Sequence, residues 1–302
     1  MDGLCGEPLP SPQNPHTGAM ISVLILTRNE AEDLPGCLAS VAWSDDVHVY
    51  DSFSTDDTVG IAQSAGAHVR QRTFDGYATQ RNSALEECPF QHEWVLILDA
   101  DERVPADTAS SMRALVSAVP DRVCGYRLRR RDHFEGRWLR HAQMTPHYIR
   151  LVRRGSARYH REVNEVLEVR GEVVDSGLCF DHHPFSKGIG HWIRRHERYA
   201  CMEAGRLLQE RSGDFGFSLS KALFDRDFNV RRYHWKGLFY RLPMRPLIKW
   251  CYLMFWRRAF LDGGPGIRYA GLQAFYEHMI DLHRRELGRR EPQRDKGRSL
   301  RE

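Results

Sequence analysis

Four short apolar segments, Ile21-Ser-Val-Leu-Ile-Leu26, Val47-His-Val-Tyr50, Ala67-His-Val-Arg70 and Trp94-Val-Leu-Ile-Leu98, recur between stretches of helical spacing. Runs this short and this apolar read as buried strands, and strands that alternate with helices build a largely parallel sheet. The helix starts fit. Ser54 or Thr55 stands as a cap for a helix through Thr58 to Ala65, Asp56 and Asp57 fall in its positive first turn, and Pro105 suits a first helical position. With 302 residues, 41% of them hydrophobic, the chain can fill the core of an α/β domain beginning near Met20.

Beyond Cys124 the pattern changes to strand-like pieces at 125–128, 148–152 and 163–169, separated by a long loop of aromatic and charged residues. From about Gly188 it becomes helical, with helices expected near 189–210, 219–228, 245–262 and 267–289 and breaks at Gly213 to Gly216, at Pro243 and at Gly263-Gly-Pro-Gly266. The expected organisation is a disordered leader at 1–19, an α/β domain at 20–187, a helical extension at 188–290 and a disordered basic tail at 291–302.

The net charge of +4 is uneven: from Arg226 onward 18 Lys and Arg stand against 8 Asp and Glu. Such a block favours an anionic partner, a lipid surface or a nucleic acid. The leader offers no signal-peptide core, and the run Trp250-Cys-Tyr-Leu-Met-Phe-Trp256 is far below the roughly 20 residues of a bilayer crossing. Seven cysteines without a C-x-x-C pair exclude a zinc ribbon and read as reduced thiols, so the expected location is cytoplasmic.

The strongest chemical signal is Leu98-Asp99-Ala100-Asp101-Glu102, three carboxylates released at the C-terminal end of an apolar strand. Ligands bind at that edge of open α/β sheets, and Asp-x-Asp can hold a divalent cation that also grips phosphates; an acidic helix start is the plainer alternative. Asp51 closes another strand and Thr27-Arg28-Asn29-Glu30 follows the first, so three parallel strands would deliver polar groups to one rim. Asp56 and Asp57 read as capping residues.

The segments 21–30, Asp51-Ser-Phe-Ser-Thr-Asp-Asp-Thr58, Phe74-Asp-Gly-Tyr-Ala-Thr-Gln-Arg-Asn82 and Leu96-Ile-Leu-Asp-Ala-Asp-Glu102 resemble the donor-site blocks of family 2 glycosyltransferases. Phe134-Glu-Gly-Arg-Trp138, Arg150-Leu-Val-Arg-Arg154 and the helical ending are similar to the branch that includes lipopolysaccharide-core β-glucosyltransferases. The resemblance implies the GT-A fold, a Rossmann-like mixed sheet with a C-terminal helical extension. It also implies inverting transfer of a sugar from a nucleotide-diphosphate donor, a UDP-sugar as first choice, to a lipid-linked or lipopolysaccharide-core acceptor at the inner face of the cytoplasmic membrane. By match to the family blocks, Thr27, Arg28, Glu30, Asp51, Arg81 and Asp99 bind the donor. Asp99 and Asp101 hold Mg²⁺ or Mn²⁺, with Asp101 the direct ligand, and His182 is a third ligand or a partner of the diphosphate. Glu165 is the base, with Glu162 the competing carboxylate, because Asn164 stands where the family pattern has a His. Trp138 would stack a sugar while Arg137 or Arg140 meets an acceptor phosphate. Aromatics interleaved with cations across 231–268 add an expected peripheral contact with anionic lipid.

Other classes fit less well. No G-x-G-x-x-G follows Leu26, which removes a dinucleotide-dependent dehydrogenase, and Thr27-Arg-Asn-Glu30 replaces the glycine-rich loop a sugar-nucleotide pyrophosphorylase would open with. Nucleic-acid binding accounts for the basic end but not for the carboxylate rim, and no nucleic-acid partner is expected.

Overall fold

The computed structural model describes residues 20–117, 119–160, 165–212, 218, 220, 239–240 and 242–298, with 209–212 and 290–298 described by backbone alone. Contacts gather into two units: residues up to Arg129 with His147–Phe180, and Arg130–Pro146 with the residues from Asp181 onward.

The first unit alternates β1 (Ile21–Thr27), α1 (Leu34–Ser40), β2 (Val47–Asp51), α2 (Thr58–Ser64), β3 (His68–Gln71), α3 (Tyr77–Glu87), β4 (Trp94–Asp99), β5 (Glu102–Arg103) and α4 (Ala106–Ser117). The strands β6 (Val123–Phe134), β7 (Arg137–Trp138), β8 (His147–Arg153), β9 (Ala157–His160), β10 (Val166–Val169) and β11 (Glu172–His182) follow, and β6 and β11 run on into the second unit. The main sheet has the order β3-β2-β1-β4-β8-β6-β11-β5, with β7 on β6, while β9 and β10 form a separate antiparallel pair. β1, β2, β3 and β4 are parallel neighbours; β8 runs antiparallel to β4, so the sheet is mixed, as expected.

The solid apolar character of β1 and β4 has a direct cause: both faces are covered. Ile21, Val23, Ile25, Leu96 and Leu98 pack with Leu34 and Cys37 of α1 and Met112 and Val116 of α4. The alternate residues Leu24, Val95 and Ile97 pack with Ala78 and Ala84 of α3 and with Tyr159. Each fully buried large aliphatic side chain contributes about 1.5–3 kcal/mol, so these strands hold the carboxylate-bearing rim in place.

In the second unit α5 (Gly188–Ser212) and α7 (Gly263–Arg298) meet through Ala200, Ala204, Met279 and Ile280. Between them lie α6 (Arg245–Cys251), a wide turn at Tyr252–Trp256 closed by Arg257 N–H donating to Tyr252 O at 2.9 Å, and a 3₁₀ turn at Ala259–Asp262. The single helix expected over 245–262 is therefore broken. Arg258 takes a left-handed φ of 58°, and the Arg257 guanidinium donates to the carbonyls of His141 at 3.1 Å and Gln143 at 3.0 Å, which holds the chain out of helical register.

The expected break at Gly263 to Gly266 is instead the first turn of α7, where Pro265 has no need of an N–H partner. α7 continues to Arg298, into the stretch expected to be a disordered tail; its Arg, Glu, Gln and Lys are good helix formers. The expected leader at 1–19 and helix at 219–228 lie outside the described residues, except for Ser220. Among the described residues no helix is long and apolar enough to cross a membrane.

Candidate functional site

The register of the parallel strands brings the polar groups together. Thr27 lies opposite Asp51 across β1 and β2, and Leu26 lies opposite Asp99 across β1 and β4. Thr27, Asp51 and Asp99 therefore occupy one rim, as the sequence implied.

Asp51 is fully buried and committed to four donors. Thr27 Oγ1 donates to Oδ1 at 2.9 Å and Ser54 Oγ to the same oxygen, while Ser54 N–H at 2.8 Å and Gln71 Nε2 at 3.0 Å donate to Oδ2. Its carboxylate thus shapes the loop after β2. That loop is stitched to the loop after β1: Asn29, Glu30 and Ala31 N–H donate in turn to Ser54 Oγ, Thr58 Oγ1 and Asp56 Oδ2 at 2.8, 2.8 and 3.1 Å. Asn29 Oδ1 accepts from Thr55 N–H at 2.7 Å. Asp56, expected only to cap α2, both accepts from Thr58 N–H and bridges the two loops.

Two non-glycine residues here, Asn29 and Phe53, have φ of 57° and 53°. Strain of this kind persists where the surroundings enforce it and gathers at ligand sites. Phe53 is 54% exposed, and Arg28 stands over the Phe74 ring at 5.5 Å.

Below Asp51 and Asp99 lies a charge cluster that the sequence did not disclose. Arg81 Nη2 donates to Asp99 Oδ1 at 2.9 Å, and Arg150 Nη2 donates to Asp99 Oδ2 at 3.1 Å and to Glu102 Oε1. Asp99 N–H in turn donates to Glu102 Oε2 at 3.0 Å. Desolvation opposes the charge on Asp99, but the two guanidiniums overcome it and hold the carboxyl well below the usual range. The same burial opposes Arg81 and Arg150, whose acidic neighbours keep both firmly protonated. Arg81 also stands over the Tyr159 ring at 5.3 Å and Arg150 over Phe180 at 5.3 Å. In the sequence the clue to Arg150 is its place between the apolar Ile149 and Leu151.

Both oxygens of Asp99, expected to serve donor and metal alike, accept from arginine, Oδ1 from Arg81 and Oδ2 from Arg150. Asp101, one residue beyond Ala100 in the turn after β4, is half-buried. Among the described residues no group of three or more His, Cys, Asp or Glu side chains is placed to hold a metal. This donor set suits Mg²⁺ or Mn²⁺ bound through one carboxylate, since Mg²⁺ keeps several waters and takes other oxygens from substrate phosphates.

Glu165, just before β10, is half-buried, and its Oε1 lies 3.3 Å from Arg81 Nε. One guanidinium thus joins the expected base to Asp99. The competing Glu162 lies outside the described residues.

In the second unit His182 is held by Asp132, with Nδ1 2.5 Å from Oδ1, and Gln143 Nε2 donates to Asp132 Oδ2 at 2.8 Å. A carboxylate on Nδ1 orients the ring and favours a proton on that nitrogen. Trp138 has Arg131 at 5.8 Å and Arg140 at 5.7 Å from its ring, while Arg137 Nη2 donates to Leu261 O at 3.3 Å. Of the cations expected to face lipid, Arg245, Lys249 and Arg257 among the described residues are turned inward, while Arg258 is exposed. Arg245 is 1% exposed and bonds Asp281, burial pushes the Lys249 pKa down, and Arg257 is committed to two carbonyls. Arg231, Arg232, Lys236 and Arg241, with Tyr233 and Trp235, lie outside the described residues.

The model of the family described as "Glycosyl transferase family 2" matches residues 22–168. LpsC of Rhizobium meliloti (strain 1021), a lipopolysaccharide core biosynthesis glycosyltransferase, is 32% identical over 204 residues, 63% of this chain and 72% of that one. An uncharacterized glycosyltransferase of Rickettsia felis is 36% identical over 111 residues, 36% of this chain and 38% of its own length. Among solved structures, the mannosyltransferase PcManGT of Pyrobaculum calidifontis, in complex with GDP-Man and Mn²⁺, aligns over 92% of this chain and 90% of its own at 15% identity and a TM-score of 0.49. The match to the family model and the likeness to most of LpsC settle the affiliation: the chain belongs to glycosyl transferase family 2 and is a glycosyltransferase.

Proposed function

We propose that this glycosyltransferase moves a sugar, with inversion, from a nucleotide-diphosphate donor to a lipid-linked or lipopolysaccharide-core acceptor at the inner face of the cytoplasmic membrane. The observation that carries the reading is the convergence of Thr27, Asp51 and Asp99 on one rim, with Arg81 tying Glu165 to Asp99. The likeness to LpsC supports the class of acceptor.

The stitched loops after β1 and β2 form the donor wall, with Arg28 and Phe53 exposed on it and Glu30 fixed through its backbone. Asp101 is the carboxylate that would hold Mg²⁺ or Mn²⁺, which when bound neutralises the departing diphosphate as a Lewis acid. Arg81 and Arg150 offset the charge of Asp99 and Glu102 at the rim, and those carboxylates hold the two guanidiniums in place. Glu165 takes the proton of the acceptor hydroxyl as the new bond forms, and Arg81 holds its carboxylate in place. His182, oriented by Asp132, is a further partner of the diphosphate or the metal. Trp138, Arg137 and Arg140 meet the acceptor.

Incubation with UDP-, GDP- and nucleoside-monophosphate sugars, with and without Mn²⁺, tests the reading by release of free nucleotide. Mn²⁺-dependent hydrolysis of one class of diphosphate donor is expected; release from none of them, by folded protein, would reject it.

A further inference from the structure

The second unit presents an apolar surface that the donor chemistry does not use. In the turns that follow α6, Leu253, Met254 and Ala259 are buried with Phe134, Leu139 and Tyr269. Their neighbours point outward: Phe255 is 66% exposed, Trp256 80%, and Phe260 and Leu261 46% each, with Met244 at 66% and Leu247 at 49% beside them in sequence. The break at Arg257 and Arg258 causes this division. A continuous helix would place 255, 256, 260 and 261 around more of its circumference, whereas the wide turn and the 3₁₀ turn set two pairs of large apolar residues in solvent. Exposure of this many large apolar side chains is unusual away from an interaction site.

Charge narrows the occupant. Arg245, Lys249 and Arg257 are drawn inward, and Arg268 is paired with Glu135. Only Arg258 stays exposed between the two pairs. A surface that attached to anionic lipid by charge would present the reverse arrangement. Among the described residues from Met244 to Leu261 the exposed side chains are apolar or aromatic apart from Arg258, a composition that matches segments that sit at headgroup depth in a bilayer.

The same turn anchors the loop assigned to the acceptor. Asp262, 2% exposed, accepts from His141 N–H at 2.9 Å, Ala142 N–H at 2.7 Å and His141 Nδ1 at 2.7 Å, and Leu261 O accepts from Arg137. The loop and the exposed turn are one hydrogen-bonded piece.

We infer that Phe255, Trp256, Phe260 and Leu261 insert into the interface of a lipid bilayer and attach the enzyme there by apolar burial rather than by charge. The inference rests on the reading of a lipid-borne acceptor, whose membrane would meet the 137–142 loop and this turn together.

Flotation of the full chain with phosphatidylcholine vesicles, and with vesicles that also contain phosphatidylglycerol, at about 0.05 M and about 0.5 M salt tests it. The protein is expected to float with both vesicles at both salt concentrations. Phe255→Ser/Trp256→Ser is expected to lower partitioning about tenfold or more, with unchanged circular dichroism, and Arg258→Glu to float as the parent does. Failure to float at low salt, flotation only on anionic vesicles and reversed by salt, or a dimer abolished by the double variant without vesicle binding would each overturn the inference. Calorimetry of UDP with Mn²⁺ on the same preparations separates the two readings. Intact nucleotide binding without flotation removes the inference alone, and flotation without nucleotide binding removes the proposed donor chemistry alone.

Discussion

Arg81 reaches Glu165 through Nε at 3.3 Å while its Nη2 binds Asp99 at 2.9 Å. A single guanidinium therefore sets the expected base relative to the strand end that carries the donor carboxylates. If Glu165 takes the acceptor proton, Glu165→Gln lowers kcat by about 10²–10⁴-fold and leaves donor affinity nearly unchanged. Arg81→Lys retains the charge but not the fork, and so is expected to lower kcat as well. Steady-state kinetics checks both, with Glu162→Gln alongside; an inactive Glu162 variant beside an active Glu165 variant would reassign the base.

Arg150 is expected to matter more for stability than any other residue of the rim. It is 7% exposed and neutralises Asp99 and the buried Glu102. Arg150→Met leaves both carboxylates without that partner, and a broken buried pair costs about 3–5 kcal/mol. Urea unfolding measures it. A loss below about 1 kcal/mol would mean that water or another group replaces the guanidinium.

The strands and the rim were legible because burial on both faces leaves an unmistakable mark: β1 and β4 tolerate almost no polar residue until they reach the edge, where Thr27 and Asp99 stand. The partners of those edge residues were not legible. Arg150 returns to the rim only because β8 runs antiparallel to β4, a pairing made across 55 to 59 residues of chain with no local signature. The grouping of 130–146 with the C-terminal helices is equally unmarked. Asp56 looked like a cap because a cap and a loop bridge use the same carboxylate at the same position. The cations of 245–257 read as a lipid-facing stripe because spacing alone does not tell which side of a broken helix is covered.

The stability that Asp99 confers should depend on pH in one direction. Its folded pKa lies below its unfolded value of about 3.9, so the stabilisation is fully present above that value and is lost as pH falls through the folded one. The penalty of Asp99→Asn is therefore expected to be the same at about pH 8 and pH 6 and to shrink only below about pH 4. Chemical denaturation of both proteins across that range checks it, and a penalty that fades already at neutral pH would show that the arginines do not hold the carboxylate ionised.

Asp99 and Asp101, two residues apart, are expected to do different work, one paired with arginines beneath the rim and the other facing the donor phosphates. The direct measurement is calorimetric titration of UDP, with and without Mn²⁺, into the parent protein, Asp101→Ala and Asp99→Asn. Mn²⁺ should tighten UDP binding to the parent by an order of magnitude or more, about 1.4 kcal/mol. Asp101→Ala should bind UDP weakly and equally with or without the ion while keeping its unfolding midpoint, and Asp99→Asn should lose stability but retain a response to Mn²⁺. Equal UDP affinities in the parent and Asp101→Ala, with Mn²⁺ and without it, would contradict a metal-assisted diphosphate site at this rim.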